Sequence, residues 1–412
     1  MGRKITKAPS YRKSKRGDHF DIDIKLGTIT PLFGGSAIVR KVDKGWPVRA
    51  SNIRGQLRFW WRTLYGWLYT DSKSLFKAEK SLWGDTDYQG KVALRIIPIK
   101  KGEPVKATAF GPKKPVTEGP LESYFLFPFR KTVDQIEEEG LVNLEFRLIV
   151  TTQNLTDDDR EQIEGAIKAW IMFGGVGART RRGLGALTVV SEPNRWLPPS
   201  PAEISIWLKL PGGRAPIDPE IPSLKGAHIA LGPDHREYAG ARDDNVLVLL
   251  AWREAGRFWA QFRKGHFISG ERYEPTKGSR WRDHETLLKL APDAKEVPLA
   301  KPYFGLPIVY QKFKEKRVFS GTIEAAAEHG VRMASPVVLK PIAFANGEIR
   351  PAVLVLNAPA PKHVYISRRG TKKKYRLIIP NNDRVLTSVG VETPLDAVLK
   401  TAQKLGWREV DL

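Results

Sequence analysis

The sequence predicts an α+β protein in which half-buried strands alternate with amphipathic helices. Residues 20–26 and 142–150 alternate between apolar and polar side chains, which is typical of strands with one buried face. Residues 53–67 and 163–171 instead repeat apolar side chains at helical spacing. The chain has 412 residues, of which 41% are hydrophobic, so it is long enough for two or three domains with sizeable cores.

The first half begins with the strand at 20–26 and a turn at 30–36, and a helix follows. Ser51 is the expected N-cap of this helix, because a serine side chain accepts hydrogen bonds from first-turn amides. Short strands are then expected at 92–98 and 124–129, ahead of the second alternating strand. The apolar stripe of the helix consists of Ile53, Leu57, Trp60, Leu64 and Trp67.

A second helix follows, with Thr156 as its expected N-cap. Asp157, Asp158 and Asp159 lie in its first turn, where the helix dipole favours negative charge, so capping explains this acidic run more simply than a metal site. A returning strand is expected at 186–190. The order strand, helix, strands, helix, strand is that of a ferredoxin-like unit.

The second half is predicted to be another αβ unit with long insertions. It begins with a strand at 204–210 and a strand or buried helix at 246–252, and Thr393 with Pro394 starts a final helix. Further extended segments are expected at 303–310, 337–342 and 352–356. The predicted domain organisation is a basic N-terminal tail at 1–17, a first domain at 18–192, a Pro-rich linker at 193–202 and a second domain at 203–412.

The charge balance favours a polyanionic partner. Lysine and arginine outnumber aspartate and glutamate by 68 to 45, which gives a formal net charge of +23 and points to nucleic acid or an anionic membrane. No apolar run reaches the roughly 18–20 residues that cross a bilayer, and the N-terminus lacks a signal peptide's apolar core. We therefore expect a cytoplasmic protein that binds nucleic acid and no membrane. The chain has no cysteine, which excludes disulfides and thiolate zinc sites.

The segment 174–185 is the strongest candidate for RNA binding. Its glycines permit close approach of the backbone to a ligand, and consecutive main-chain N–H groups in such turns bind anions. Guanidinium groups suit phosphate. An ordinary glycine-rich turn with solvated arginines is the alternative. The candidate residues here are Gly175, Gly177, Arg179, Arg181, Arg182 and Gly183.

The first helix offers a second basic surface. Arg54, Arg58 and Arg62 recur every four residues and share one helix face, and Trp61 is a candidate for stacking on a base. The alternative is a surface stripe paired with carboxylates elsewhere. Loop residues Lys277, Arg280 and Trp281 repeat the combination of cation and aromatic, whereas the basic run at 372–376 is predicted to be a solvated hairpin tip.

Nothing in the sequence indicates a catalytic site, a metal site or a cofactor. The histidines are scattered without metal-ligand spacing, and the chain lacks a phosphate-binding loop of the Gly-x-x-x-x-Gly-Lys type. Metal-independent RNA cleavage by a general base such as His266 or His284 stays open, because such chemistry needs few residues.

Three segments, in order, resemble the RAMP superfamily of CRISPR-associated proteins. They are Thr30-Pro31-Leu32-Phe33-Gly34-Gly35, Ile53-Arg54-Gly55-Gln56-Leu57-Arg58-Phe59-Trp60-Trp61-Arg62 and Gly174-Gly175-Val176-Gly177-Ala178-Arg179-Thr180-Arg181-Arg182-Gly183. The double tryptophan resembles that of the first RAMP subunit of the type III-B (Cmr) effector complex. Segments at 279–281, 304–308 and 332–336 extend the resemblance into the second half.

The resemblance implies two tandem ferredoxin-like (RRM-like) domains with insertions. It further implies a non-catalytic subunit that contacts the guide CRISPR RNA and the target RNA near the 3′ end of the guide, beside other Cmr subunits. A stand-alone metal-independent endoribonuclease that processes CRISPR RNA is the alternative, and a purely architectural subunit with an acidic neighbour is another.

Overall fold

A computed structural model describes most of the chain. The N-terminal tail predicted at 1–17 and the candidate Lys277 lie outside the described residues. The described ranges are 21–110, 125–132, 135–217, 219–234, 244–266, 279–310, 319–326, 330–368 and 370–412.

The first half forms a ferredoxin-like unit. Its sheet has the order β2-β3-β1-β4 with antiparallel neighbours, so β3 lies between the strands of the first βαβ crossover and β1 between those of the second. The predicted fold is therefore confirmed. The elements are β1 (Ile22–Thr28), α1 (Ala50–Tyr65), α2 (Ser72–Trp83), β2 (Val92–Lys106), β3 (Glu139–Thr152), α3 (Asp157–Phe173) and β4 (Leu187–Val189).

Some starts of helices and strands were predicted correctly from local sequence patterns, and others were not. Thr156 and Asp159 form a reciprocal capping box at the start of α3, as the acidic first turn predicted. The N-cap of α1 is Arg49, with no side-chain cap, so the prediction of Ser51 is wrong. The prediction of a strand at 124–129 is also wrong: residues Phe127–Phe129 form a 3₁₀ turn, with a proline among them, and residue 124 is not described.

The segment at 193–202, predicted to be a Pro-rich linker, contributes side chains to the core. It contains α4 (Pro193–Trp196), and Trp196 and Leu197 are buried in the core. The predicted strand at 204–210 is instead α5 (Ile204–Leu208). Its buried residues are Ile204, Trp207 and Leu208, which is helical spacing.

The second half is a second ferredoxin-like unit with two insertions. Its sheet has the order β13-β5-β10-β9, the same arrangement as in the first unit. The ambiguous segment at 246–252 is helical, and residues 303–310 contain a 3₁₀ turn before their strand. The elements are β5 (Ser223–Leu231), α6 (Asp244–Lys264), α7 (Asp283–Lys289), β6 (Glu296–Pro298), β7 (Ile308–Tyr310), β8 (Gly321–Ala325), β9 (Val337–Ala343), β10 (Ile349–Asn357), β11 (His363–Arg368), β12 (Thr371–Ile378), α8 (Arg384–Val389), α9 (Pro394–Lys404) and β13 (Arg408–Val410).

The insertions build a third sheet, with the order β6-β12-β11-β8-β7. The first insertion supplies β6, β7 and β8, and the second supplies the β11–β12 hairpin. The basic run at 372–376 lies on β12 beside the turn of this hairpin, but it is only partly solvated, because Lys372 pairs with Glu324 and Tyr375 is buried. One face of the sheet covers a core of its own around Val364 and Ile366.

The two ferredoxin-like units pack tightly against each other. Phe33 and Leu184 of the first unit share a buried cluster with Trp252 and Leu339 of the second. The segment 174–185, hereafter the arginine loop, lies at this junction, and its 3₁₀ turn (Thr180–Arg182) packs against β9. The arginine loop, which is the strongest candidate for RNA binding in the sequence, therefore contacts residues of the second unit at this junction.

Candidate nucleic-acid interface

The backbone of the arginine loop is held by other parts of the protein. The amide of Val176 donates to the Gly185 carbonyl at 3.0 Å, and that of Ala178 donates to the Phe33 carbonyl at 2.8 Å. The Gly183 amide donates within the loop to Thr180 at 3.0 Å. These amides are already used, so the loop does not offer the predicted main-chain anion cradle at these positions.

The glycines of the loop are required by packing. A Cβ on Gly175 would lie 2.6 Å from the Gly185 carbonyl oxygen, and one on Gly177 would lie 2.9 Å from the Phe33 carbonyl oxygen. Gly183 has a φ of +75° and packs against the Trp252 ring, where a Cβ would lie 2.9 Å away. The glycine signal therefore reflects close contacts within the fold.

Two of the three arginines fasten the units together. Arg181 donates to the Ser335 carbonyl, and its guanidinium lies 5.1 Å from the Phe59 ring centroid. Arg182 donates to the Val337 carbonyl at 2.6 Å and to the Ser335 hydroxyl at 3.0 Å. Burial lowers the pKa of Arg181, so its charge is held in a partly dehydrated environment.

The same arginines line a cleft of about 1070 Å³ between the units. Arg179 of the loop is exposed, and Arg130 and Arg263 approach from neighbouring segments. Among the described lining residues there are five arginines and no aspartate or glutamate. The lining residues are Phe127, Pro128, Arg130, Arg179, Thr180, Arg181, Arg182, Trp259, Ala260, Arg263, Phe304, Gly305, Leu306, Pro307, Ile308, Val309, Met333, Ala334 and Ser335.

Aromatic rings accompany the positive charge in the cleft. The Phe127 side chain is 61% exposed at the cleft wall, and the Trp259 ring lies 4.8 Å from the Arg182 guanidinium. Arg263 lies 5.6 Å from the Phe304 ring centroid. Trp259 and Phe304 are buried, so Phe127 is the one of these three rings with an accessible face. Exposed aromatic rings in positively charged grooves stack on the bases of single-stranded nucleic acid.

Sequence reasoning missed Arg130, Arg263 and Phe127. Phe127 begins a short 3₁₀ turn that Arg130 follows, and Arg263 lies in the last turn of α6, so no local pattern joins them to the arginine loop. The Nε atom of Arg130 is buried without a hydrogen-bond partner among the described residues, and burial lowers its pKa. A buried donor without a partner is unfavourable, and a new acceptor would satisfy it.

The arginine stripe on α1 is mainly structural. Arg58 and Arg62 both contact one carboxylate oxygen of Glu79 at 2.5 Å, and Glu79 in α2 is only 4% exposed. The structure thus favours pairing with a carboxylate, and the prediction of an open cationic stripe is wrong for these two residues. Arg54 is half-buried and forms no ion pair within the described part of the chain, but it does not line the cleft.

Both candidate tryptophans are core residues. Trp61 is buried, and its Nε1 donates to Gln162 at 2.7 Å. Trp281 is buried against Phe262 and Phe304, and its Nε1 donates to the Phe262 carbonyl at 2.9 Å. The predicted stacking roles of Trp61 and Trp281 are therefore wrong, because neither ring face is accessible. Arg280 is half-buried and does not line the cleft.

The candidate general bases lie away from the cleft. The His284 Nε2 accepts a hydrogen bond from the Phe319 amide at 2.9 Å, and burial lowers the pKa of this histidine. His266 is buried, and neither histidine lines the cleft. The described ranges contain no group of three or more histidine, aspartate or glutamate side chains suited to a metal ion. They also contain no helix long and apolar enough to span a membrane.

Comparison with known proteins identifies the first unit. The family model of the RAMP superfamily matches residues 25–188. The first unit is therefore similar to the RAMP superfamily. The match runs from β1 to β4 and so covers the first ferredoxin-like unit, which confirms the resemblance carried by the three motifs.

One related protein and two solved structures are similar to this chain over different lengths. The CRISPR system Cmr subunit Cmr1-2 of Pyrococcus furiosus is 25% identical over 176 residues, which cover 40% of this chain and 92% of that protein. The apo structure of Cmr1 from Pyrococcus furiosus has a TM-score of 0.48 and 15% identity, over 83% of this chain and 89% of that one. A chain of the type III-B Cmr-beta complex bound to cognate target RNA has a TM-score of 0.44 and 11% identity, over 92% of this chain and 98% of that one.

Proposed function

We propose that this protein is a non-catalytic, RNA-binding subunit of a type III-B (Cmr) effector complex, and that RNA binds in the cleft between its two units. The observation that carries the proposal is the cleft itself, which is lined by five arginines and by no described carboxylate. The match to the RAMP superfamily over residues 25–188 and the similarity to a Cmr subunit support the assignment to this class of complex.

In this proposal the cleft arginines have different roles. Arg130, Arg179 and Arg263 bind phosphates, because guanidinium groups donate paired hydrogen bonds to phosphate oxygens. Arg181 and Arg182 add positive potential while their side chains hold the second unit. Phe127 stacks on an unpaired base.

Contacts of this kind position RNA without reading its sequence. Sequence specificity in the proposed complex comes from base pairing between guide and target, as in other guided systems. The cleft therefore holds the guide CRISPR RNA or the target RNA near the 3′ end of the guide, and other Cmr subunits cover the remaining strand.

The test is fluorescence anisotropy with a labelled single-stranded RNA. We expect the variant Arg130→Ala/Arg179→Ala/Arg263→Ala to bind at least tenfold more weakly, because it loses three phosphate contacts. Arg147→Ala is the matched control, since Arg147 is an exposed arginine on β3 that pairs with Asp23 away from the cleft. Equal affinities for all three proteins would refute the cleft as the RNA site.

A cleavage assay tests the non-catalytic part of the proposal. The purified protein should leave labelled RNA intact with or without Mg²⁺ or Mn²⁺. Cleavage that is lost in His266→Ala or His284→Ala would instead support the endoribonuclease, because these are the candidate general bases.

A further inference from the structure

A buried lysine of the second unit donates hydrogen bonds to carbonyl groups at the C-terminal end of helix α3. Lys340 lies in β9, and alternation along the strand places it on the same face as Val338 and Ile342. Its side chain is almost fully buried, with 1% of the residue exposed. The Nζ atom donates to the carbonyl oxygens of Ile171 at 3.2 Å and Gly174 at 2.9 Å.

These carbonyls need an external donor. The last carbonyls of an α-helix have no partner within the helix, and burial without a partner is unfavourable. The Gly174 amide donates to the Trp170 carbonyl at 2.8 Å, and the Trp170 Nε1 donates to the Gly175 carbonyl at 3.1 Å. Lys340 supplies donors for two further carbonyls at this helix end, those of Ile171 and Gly174.

The contact lies at the first residue of the arginine loop. Gly174 begins the loop, while Arg181 and Arg182 near its end donate to Ser335 and Val337. Val337 and Lys340 belong to the same strand, so β9 and the residues just before it hold the loop at both ends. Arg179 projects from the backbone between these two attachments.

We propose that Lys340 is a positioning residue for RNA binding, which fixes the start of the arginine loop and thereby the direction in which Arg179 faces the cleft. Lys340 does not line the cleft and does not touch the RNA itself. The inference rests on the proposed function of the cleft.

The chemistry of the amine agrees with this role. Burial lowers the pKa of Lys340 to about 7, and a neutral amine has two N–H groups for the two carbonyl oxygens it contacts. A methionine at this position would keep most of the volume and lose both donors. The loop would then begin at a helix end with two unsatisfied carbonyls.

The experiment compares Lys340→Met with Val338→Ala as the matched control. Val338 shares the buried face of β9, but its side chain carries no donor for α3. Single-stranded RNA affinity is measured by anisotropy well below both melting temperatures, and amide hydrogen exchange is followed over residues 174–185. We expect Lys340→Met to bind RNA roughly five- to tenfold more weakly and to exchange faster in this segment, whereas Val338→Ala keeps near wild-type values for both.

The outcomes separate this inference from the proposed function. If the wild-type protein fails to bind RNA, the proposed function fails, and hydrogen exchange still decides whether Lys340 fixes the loop. Wild-type affinity and exchange in Lys340→Met, or equal losses in both variants, would overturn the inference. If Lys340→Met does not fold, Lys340→Gln replaces it, and we expect an intermediate affinity because its amide can donate to one carbonyl.

Discussion

The cleft arginines differ in their contacts across the junction between the two units. Arg182 donates to Val337 and Ser335 across the junction, whereas Arg179 is exposed at the cleft. We predict that Arg182→Ala lowers the unfolding free energy by about 2 kcal/mol, because its charged hydrogen bonds to Val337 and Ser335 are lost. Arg179→Ala should lower the melting temperature less than Arg182→Ala, because Arg179 is exposed, and it should weaken RNA binding. Thermal denaturation and anisotropy check the two variants. A melting temperature lower in Arg179→Ala than in Arg182→Ala would contradict this difference between the two arginines.

Lys340 predicts a pH dependence of stability. Its pKa is about 7 in the folded protein, because burial disfavours the charged form, and its ordinary value is 10.5. Between these values the unfolded chain binds more protons than the folded one, so this group makes stability rise with pH, by up to about 1.4 kcal/mol per pH unit. Denaturant unfolding at pH 7 and pH 9 should show a larger gain for wild type than for Lys340→Met. An equal gain would show that the buried amine does not titrate in this range.

At the scale of elements, Glu79 joins α2 to α1. It is buried and contacts both Arg58 and Arg62. We predict that Glu79→Ala destabilises the protein by about 2 kcal/mol, because two guanidinium groups lose a charged partner. Glu79→Gln should lose less, since it keeps the volume and an acceptor oxygen. Urea unfolding measures both variants. Equal stability of Glu79→Ala and wild type would mean that the ion pairs with Glu79 do not stabilise the fold, and Arg58 and Arg62 would again be candidates for RNA contact.

Features that depend on residues close together in the sequence could be predicted, and features that depend on contacts between distant residues could not. The capping box at Thr156 involves residues three apart, and β3 alternates along its own length. By contrast, Glu79 pairs with arginines 17 and 21 positions away, which the helical stripe alone does not reveal. Trp61 and Trp281 have the composition of stacking residues, and only their packing shows that both are buried.

The same contrast applies to the candidate site. The arginine loop was found because its glycines and arginines are adjacent in the chain. Arg130 and Arg263 reach the cleft only through the packing of two units, so no sequence window contains the whole site. The strands of the second ferredoxin-like unit were similarly hard to assign from the sequence, because two insertions separate them.

At the scale of the whole molecule, the net charge of +23 predicts salt-dependent RNA binding. Each phosphate neutralised on a single strand contributes about −0.7 to the slope of log K against log salt concentration. We predict that Arg130→Ala/Arg179→Ala/Arg263→Ala reduces the steepness of this slope by about 2, from three lost contacts. Titrations at several salt concentrations measure it. An unchanged slope would mean that these arginines contact no phosphate.

The third sheet makes the two insertions depend on each other. Strand β11 pairs with β8, and β12 pairs with β6, so each insertion completes the hydrogen bonding of the other. A protein shortened in only one of them would be left with bare strand edges and an uncovered apolar layer, which invite aggregation. Minimal versions of this protein should therefore discard both insertions together or retain both.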